Sequence, residues 1–301
     1  MTNFQHITVA PLSMAVGAEI GGVDISQDLD DVVIAEIRQA LLDHLVIFFR
    51  DQDLTDIERH KAFTRHFGEL FIHPNYNLGQ ENPEMVYLTR MPGDRSAAGE
   101  TWHADTTMMA NPPMGAILYA LETPETGGDT LFANQYLAYE SLSDGMKKML
   151  DGMKAVHNDI KVAGPQARKN ATRTSKVRED DDWRMTENAH PVARTHPETG
   201  RKCLFVNRGL TQFILGIPRE ESDDLLEWLF DYEEGEEFEY RHEWRVGDTV
   251  IWDNCATIHC ATGGYTTDQH RVMIRTQVLG NEDKYTAANA PLGARLLKQA
   301  S

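Results

Sequence analysis

Apolar residues recur along the first quarter of the chain in two rhythms. Ile34, Ile37 and Leu41 follow at near-helical spacing in a polar background, which predicts a helix over residues 30–44. Directly after it, Leu45-Val46-Ile47-Phe48-Phe49 is an unbroken apolar run, too short for a helix, and reads as a buried strand. Short strands are expected earlier at 7–9 and 18–25, punctuated by Pro11 and Gly21-Gly22. A second helix is expected from Thr55, with Glu58 completing a capping box, to about Phe67.

From residue 85 short strands dominate. Residues 85–90, 115–121 and 129–132 carry strand patterns, with Gly127-Gly128 as a turn before the last. Helices are expected over 134–142 and 143–153, the second opened by Ser143-Asp144. Further strands fall at 191–195, 202–206, 238–244, 249–252 and 271–278. One helix begins after Pro218 and gathers Leu225, Leu226, Leu229 and Phe230 on one side. Residues 159–188 are polar and aperiodic, with Lys169, Arg173, Lys176 and Arg178 beside Glu179-Asp180-Asp181-Asp182. A loop of that length is either a lid over an active site or a solvated excursion. Many short strands with few helices predict a closed or double-sheet β architecture, and no Gly-x-Gly-x-x-Gly supports a nucleotide fold.

Composition narrows this picture. A chain of 301 residues, 41% hydrophobic and 25% charged, fits one globular catalytic domain over 1–301. A formal charge of −18 argues against a nucleic-acid partner, which needs a basic stripe. It also means that an anionic ligand must be drawn by a local cluster of cations against the overall field. No run of apolar residues is long enough for a membrane span, and the first twenty residues lack a signal-peptide pattern. The three cysteines, Cys203, Cys255 and Cys260, are odd in number and lack metal-site spacing, so a reduced cytoplasmic setting is expected. Cys260 is expected to be buried packing.

The chemistry concentrates in two stretches. In Trp102-His103-Ala104-Asp105 an imidazole and a carboxylate stand two apart, on one face if the segment is a strand. Far downstream, His259 follows the apolar run that includes Trp252-Asp253-Asn254. His-x-Asp with a distant His is the facial triad of non-haem Fe(II) sites, which leaves coordination positions open. Arg271 and Arg275, four apart on the last strand, share a face on which they can hold anions. His190 and His196, each followed by a proline, are expected at loop edges. His6, His44, His60, His66, His157, His242 and His270 have no partner at metal spacing.

Through these residues, and through Gly127-Gly128-Asp129-Thr130 and Trp252-Asp253-Asn254, nearly the whole chain resembles the taurine dioxygenase family of Fe(II)/2-oxoglutarate-dependent oxygenases, which includes the 2,4-dichlorophenoxyacetate and alkylsulfate dioxygenases. The resemblance implies a mainly β fold with peripheral helices, a double-stranded β-helix (jelly roll, cupin-like), commonly as a dimer or tetramer. It implies Fe(II) on His103, Asp105 and His259, and 2-oxoglutarate held at its distal carboxylate by Arg271 and Thr130. With O2 the co-substrate would yield succinate and CO2. His73, Tyr76 and Arg275 fall at substrate positions, implying a small anionic molecule: a sulfonate, a sulfate ester or a carboxylate such as an aryloxyalkanoate. The position four before His103, asparagine in taurine enzymes, is Gly99; this removes a polar contact and opens volume, favouring a larger acid than taurine. A non-oxidative cupin-type isomerase or lyase on Zn2+ or Mn2+ is the competing enzyme class, and would leave Arg271 and Thr130 unexplained. A non-catalytic binding protein on the same scaffold would have no use for the ligand set.

Overall fold

The protein is described by a computed structural model over residues 4–76, 81–96, 98–170, 174 and 183–280. Its largest sheet has seven strands: β1 (Thr8–Pro11), β2 (Ala18–Gly21), β3 (Val46–Phe49), β4 (Val86–Arg90), β5 (Gly115–Glu122), β13 (Thr249–Asp253) and β15 (Arg271–Val278). They run in the order β1-β2-β3-β13-β5-β15-β4. A three-stranded sheet, β12-β6-β14, is built from β6 (Thr130–Asn134), β12 (Glu239–His242) and β14 (Thr257–Ala261). Another has the order β11-β7-β8, from β7 (Lys154–Asn158), β8 (Glu187–Pro191) and β11 (Thr211–Ile214), and β9 (Ala193–Thr195) pairs with β10 (Lys202–Leu204).

The alternation of side chains across each strand explains the layering. On the large sheet Ile47, Phe49, Ile117, Tyr119, Ile251 and Ile274 pack in one core with Ile34, Ile37 and Leu41 of α1 (Asp31–His44) and Phe63 of α2 (Ile57–Arg65). Their neighbours Val46, Phe48, Ala116, Leu118, Val250, Trp252 and Met273 point the other way, into a core shared with Phe132 of β6. Strands buried on both faces carry continuous apolar runs, which is why residues 45–49 read as they do. A third core joins Ala133 and Ile258 to Leu226, Leu229 and Phe230 of α7 (Arg219–Glu233). The shorter helices are α3 (Gln135–Ser141), α4 (Asp144–Leu150), α5 (Ile160–Ala163) and α6 (Pro165–Asn170). The result is mainly β, with helices at the periphery. Among the described residues, no helix is long and apolar enough to cross a membrane.

Several boundaries differ from the sequence reading for local reasons. Helix α2 begins at Ile57 because the Asp56 carboxylate accepts from the Glu58 and Arg59 amides, while the Thr55 hydroxyl is occupied by Asp53 at 2.6 Å. The strand expected over 18–25 stops at Gly21, where Gly22 turns the chain with φ +80°. Strands β7, β11 and β14 add to those expected, and the start of the aperiodic 159–188 stretch is helical in α5 and α6. Residues 171–173 and 175–182 of that stretch lie outside the described part. His190 sits in β8 and is buried rather than at a loop edge, whereas His196 does stand at the loop edge just after β9 but is buried there, donating from Nε2 to Asp253 Oδ2 at 3.0 Å. Cys260 is half-buried, with its thiol 3.2 Å from the Glu100 carbonyl.

Candidate active site

A cavity of about 420 Å3 opens between the large sheet and strands β6 and β14. His103, Asp105 and His259 line it together with Thr130, Arg271, Arg275, His73 and Tyr76, so all eight residues singled out in the sequence share one space. The segment carrying His103 and Asp105 is not the strand expected. It makes a single antiparallel bridge, in which His103 N–H donates to His259 O at 3.0 Å and His259 N–H to His103 O at 2.7 Å. Exchanging both bonds puts the two imidazoles side by side, with ring centroids 4.2 Å apart. Beyond the bridge the chain turns, Thr106 taking φ +48°, and this turn rather than strand alternation delivers Asp105.

Asn254 holds that turn from behind. Its side-chain oxygen accepts from the Asp105 amide at 2.7 Å, and its nitrogen donates to the carbonyls of Asp105 and Pro113, each at 3.0 Å. This carboxamide spans residues 149 apart. Asn254→Asp keeps the shape but turns a double donor into an acceptor facing two buried carbonyls, a loss of about 1–3 kcal/mol or more. Misplacing a metal-ligating carboxylate through its supporting shell lowers metal affinity by roughly 10–100-fold. A titration with Mn(II) followed by its magnetic resonance signal should show that drop; unchanged affinity would remove Asn254 from the role.

The three ligand atoms lie within 4.8 Å of one another, and His103 Nε2 is 3.8 Å from Asp105 Oδ1. His103 Nδ1 donates to the Thr101 carbonyl at 2.7 Å, which fixes its proton there and leaves Nε2 with a free lone pair. Asp105 Oδ2 and His259 Nδ1 are buried without hydrogen-bond partners among the described residues. Burial pushes His259 down to about 3, helped by His103 and Arg275, and lowers His103 as well. Burial opposes ionisation of Asp105, but Arg275, His259, His103 and His73 together hold it down to about 2. Two neutral imidazoles and a carboxylate with a bare oxygen form a donor set that fits a metal ion.

Arg271 is nearly buried, its Nε donates to the Gly128 carbonyl at 3.1 Å, and it makes no ion pair among the described residues. Burial lowers its pKa, which Tyr265 and Asp129 partly offset. The Gly127-Gly128 turn that presents this carbonyl needs glycine: a Cβ at Gly127 would stand 2.7 Å from the Gly264 carbonyl, at φ +75°. Trp244 Nε1 donates to Thr130 Oγ1 at 2.9 Å, so the Thr130 hydroxyl proton is free to point elsewhere. Arg275 is placed differently from a free substrate clamp, since its Nη1 donates to Asp105 Oδ1 at 2.9 Å. His73 and Tyr76 rings meet edge-on at 4.7 Å, and burial with Arg275 nearby lowers His73 to about 3. Gly99 has φ +83°, and a Cβ there would lie 3.1 Å from His103 Cε1. The absence of a side chain therefore lets the His103 ring pack directly against the backbone at this position.

Asn254, Trp244 and Lys161 were not assigned roles from sequence. Only the motif Trp252-Asp253-Asn254 signalled the first; the other two have no local signature. A second cluster, His196, Asp253 and Cys255, also lies within 4.8 Å, but all three are buried and none lines the cavity.

A mainly β fold that closes two histidines, a carboxylate and two buried arginines around one cavity has the parts of a mononuclear metalloenzyme that binds organic acids. The chain belongs to the family described as taurine catabolism dioxygenase TauD, TfdA family, whose pattern matches residues 8–277. It is 32% identical to the alpha-ketoglutarate-dependent sulfate ester dioxygenase of Pseudomonas putida, over 91% of this chain and 90% of that one. It is 31% identical to the (S)-phenoxypropionate/alpha-ketoglutarate-dioxygenase of Sphingobium herbicidovorans, over 93% of this chain and 97% of that one. A crystal structure of a taurine dioxygenase from Burkholderia xenovorans superposes with a TM-score of 0.76 at 34% identity, covering 93% of each chain.

Proposed function

We propose that this protein hydroxylates a small anionic organic substrate, a sulfonate, a sulfate ester or a carboxylate such as an aryloxyalkanoate, with His103, Asp105 and His259 holding the Fe(II). As a member of its family it is an Fe(II)- and 2-oxoglutarate-dependent dioxygenase. Bound at this site, Fe(II) with 2-oxoglutarate and O2 supplies the oxidation, one oxygen atom entering the substrate and the other succinate, with CO2 released.

The observation that carries the reading is Arg271. A buried guanidinium without a carboxylate partner is strongly unfavourable unless a ligand supplies the anion. Its planar fork suits the distal carboxylate of 2-oxoglutarate, and the Thr130 hydroxyl, oriented by Trp244, adds a donor. This is what a non-oxidative cupin-type enzyme would leave unused. On the substrate side His73, Tyr76 and Arg275 line the cavity, and Arg275 also steadies Asp105. Gly99 lines the cavity without a polar side chain, which favours an acid other than taurine. Leu88, Met108 and Leu118 give the cavity apolar surface against which the carbon skeleton of a substrate can pack. The two sheets facing each other across the cavity support a double-stranded β-helix, and three cores that meet on shared strands support a single catalytic domain over 1–301. The lid role of 159–188 is supported by Lys161, Val162 and Ala167 lining the cavity. Three free cysteines fit a cytoplasmic setting, and the family resemblance supports a homo-oligomer.

The test is joint dependence. Turnover of alkyl sulfates, sulfonates and aryloxyalkanoates should need Fe(II), O2 and 2-oxoglutarate together, with one succinate formed per hydroxylated product. Activity that survives removal of 2-oxoglutarate would transfer the protein to the non-oxidative class.

A further inference from the structure

We propose that Lys161 forms an outer subsite of the cavity that reads a second acidic group on the substrate, on a different element from Arg275; this rests on the dioxygenase reading above.

The cations facing the cavity are few, and two are committed. Arg271 serves the co-substrate carboxylate, and Arg275 already donates to Asp105 Oδ1. Lys161, on α5, lines a different wall of the same cavity. Among the described residues its ammonium is held only by the carbonyls of Arg208 and Thr211, both at 3.3 Å, which is long for such bonds. An ammonium has three donors, so at least one remains. The carboxylates in its neighbourhood are already engaged: Asp223 accepts from Arg219 at 2.8 Å and Glu227 from Arg208 at 2.5 Å. Lys161 accordingly makes no ion pair among the described residues.

Its position is built rather than accidental. The carbonyls that hold it belong to the loop whose Gly209 and Leu210 also line the cavity. Two residues before it, the fully buried Asp159 ties three segments together. It accepts from Asn75 at 3.1 Å, from the Trp183 indole at 3.3 Å and from the Thr186 amide at 3.1 Å. Asn75 is the neighbour of Tyr76, so this carboxylate sets the Lys161 wall against the Tyr76 wall. Met108, Val162 and Leu210 supply apolar surface in the same cavity. Cations on two walls with apolar surface among them suit a molecule with two acidic groups joined by an apolar spacer.

Hexane-1-sulfonate and 6-sulfohexanoate have the same carbon count and differ by the terminal carboxylate. Their binding to the anaerobic Fe(II) and 2-oxoglutarate enzyme can be measured by calorimetry at constant ionic strength. A partly exposed ion pair is worth up to about 1 kcal/mol, or roughly fivefold. The wild type should prefer 6-sulfohexanoate by about that factor. Lys161→Gln should erase the preference while leaving hexane-1-sulfonate affinity unchanged, Lys161→Arg should keep it, and Lys161→Glu should reverse it. Equal binding of the two probes by the wild type, or a preference that persists in Lys161→Gln, overturns the subsite and leaves the dioxygenase reading intact. If neither sulfonate binds while 2-oxoglutarate does, the subsite is overturned together with the sulfonate branch of the substrate reading.

Discussion

Replacing His103, Asp105 or His259 by alanine is expected to abolish coupled turnover while leaving the fold in place. Partners that merely support a metal ligand are worth roughly 10–100-fold each, so removal of a ligand itself should exceed about 100-fold. The three side chains face an existing cavity, so truncating either histidine opens no new void in a core; its effect on stability should stay near about 1 kcal/mol. Asp105→Ala differs, because it strips Arg275 of its partner at a buried position, a change of about 2–5 kcal/mol. Metal linkage supplies a check independent of activity. A divalent ion that binds only the native state raises the melting temperature as its concentration exceeds Kd, so Mn(II) should stabilise the wild type and none of the three variants. Substantial turnover by any variant with verified metal content would sink the assignment.

The parts of this site differ in how far the sequence reveals them. Helix α1 and strand β3 were legible because burial imposes a period of its own on each, and the structure keeps that period in two separate cores. His103 and Asp105 were found by their spacing, although strand alternation was the wrong reason for it: one bridge and a turn bring them together. Strands β7 and β11 escaped because their buried positions carry polar residues such as His157 and Thr211, which meet across the pair at 3.3 Å while His157 is also bonded to Thr107 at 2.9 Å. The prolines after His190 and His196 point to loop edges, which is where His196 lies but not His190, and they give no sign that both rings are buried. Their burial depends on partners far along the chain, such as Asp253, that no local window contains. The Asn254 clamp and the Arg275–Asp105 bond, across 149 and 170 residues, are likewise products of tertiary structure.

The bond between Arg275 and Asp105 changes what separates the two arginines. Both belong to β15, but among the described residues Arg271 meets no carboxylate, while Arg275 meets the proposed metal ligand. Truncating one partner of a buried charged pair loses about 2–5 kcal/mol. At about 1.4 kcal/mol per factor of ten, this is roughly 30-fold to several-thousand-fold in affinity. Arg271→Ala should show that loss for 2-oxoglutarate and should suppress even uncoupled succinate formation, with metal affinity preserved. Arg275→Ala should retain measurable 2-oxoglutarate binding to the Fe(II) enzyme, but lose substrate affinity and coupling, and weaken metal binding because Asp105 is no longer steadied. Anaerobic titration of 2-oxoglutarate, read from its metal-to-ligand absorption band at saturating Fe(II), isolates the first effect, and separate substrate and metal titrations isolate the others. Equal losses of 2-oxoglutarate affinity in the two variants would show that the division of labour is wrong. If Arg275→Ala kept full substrate affinity, its guanidinium would be a support for Asp105 alone, and the anion of the substrate would have to be held elsewhere in the cavity.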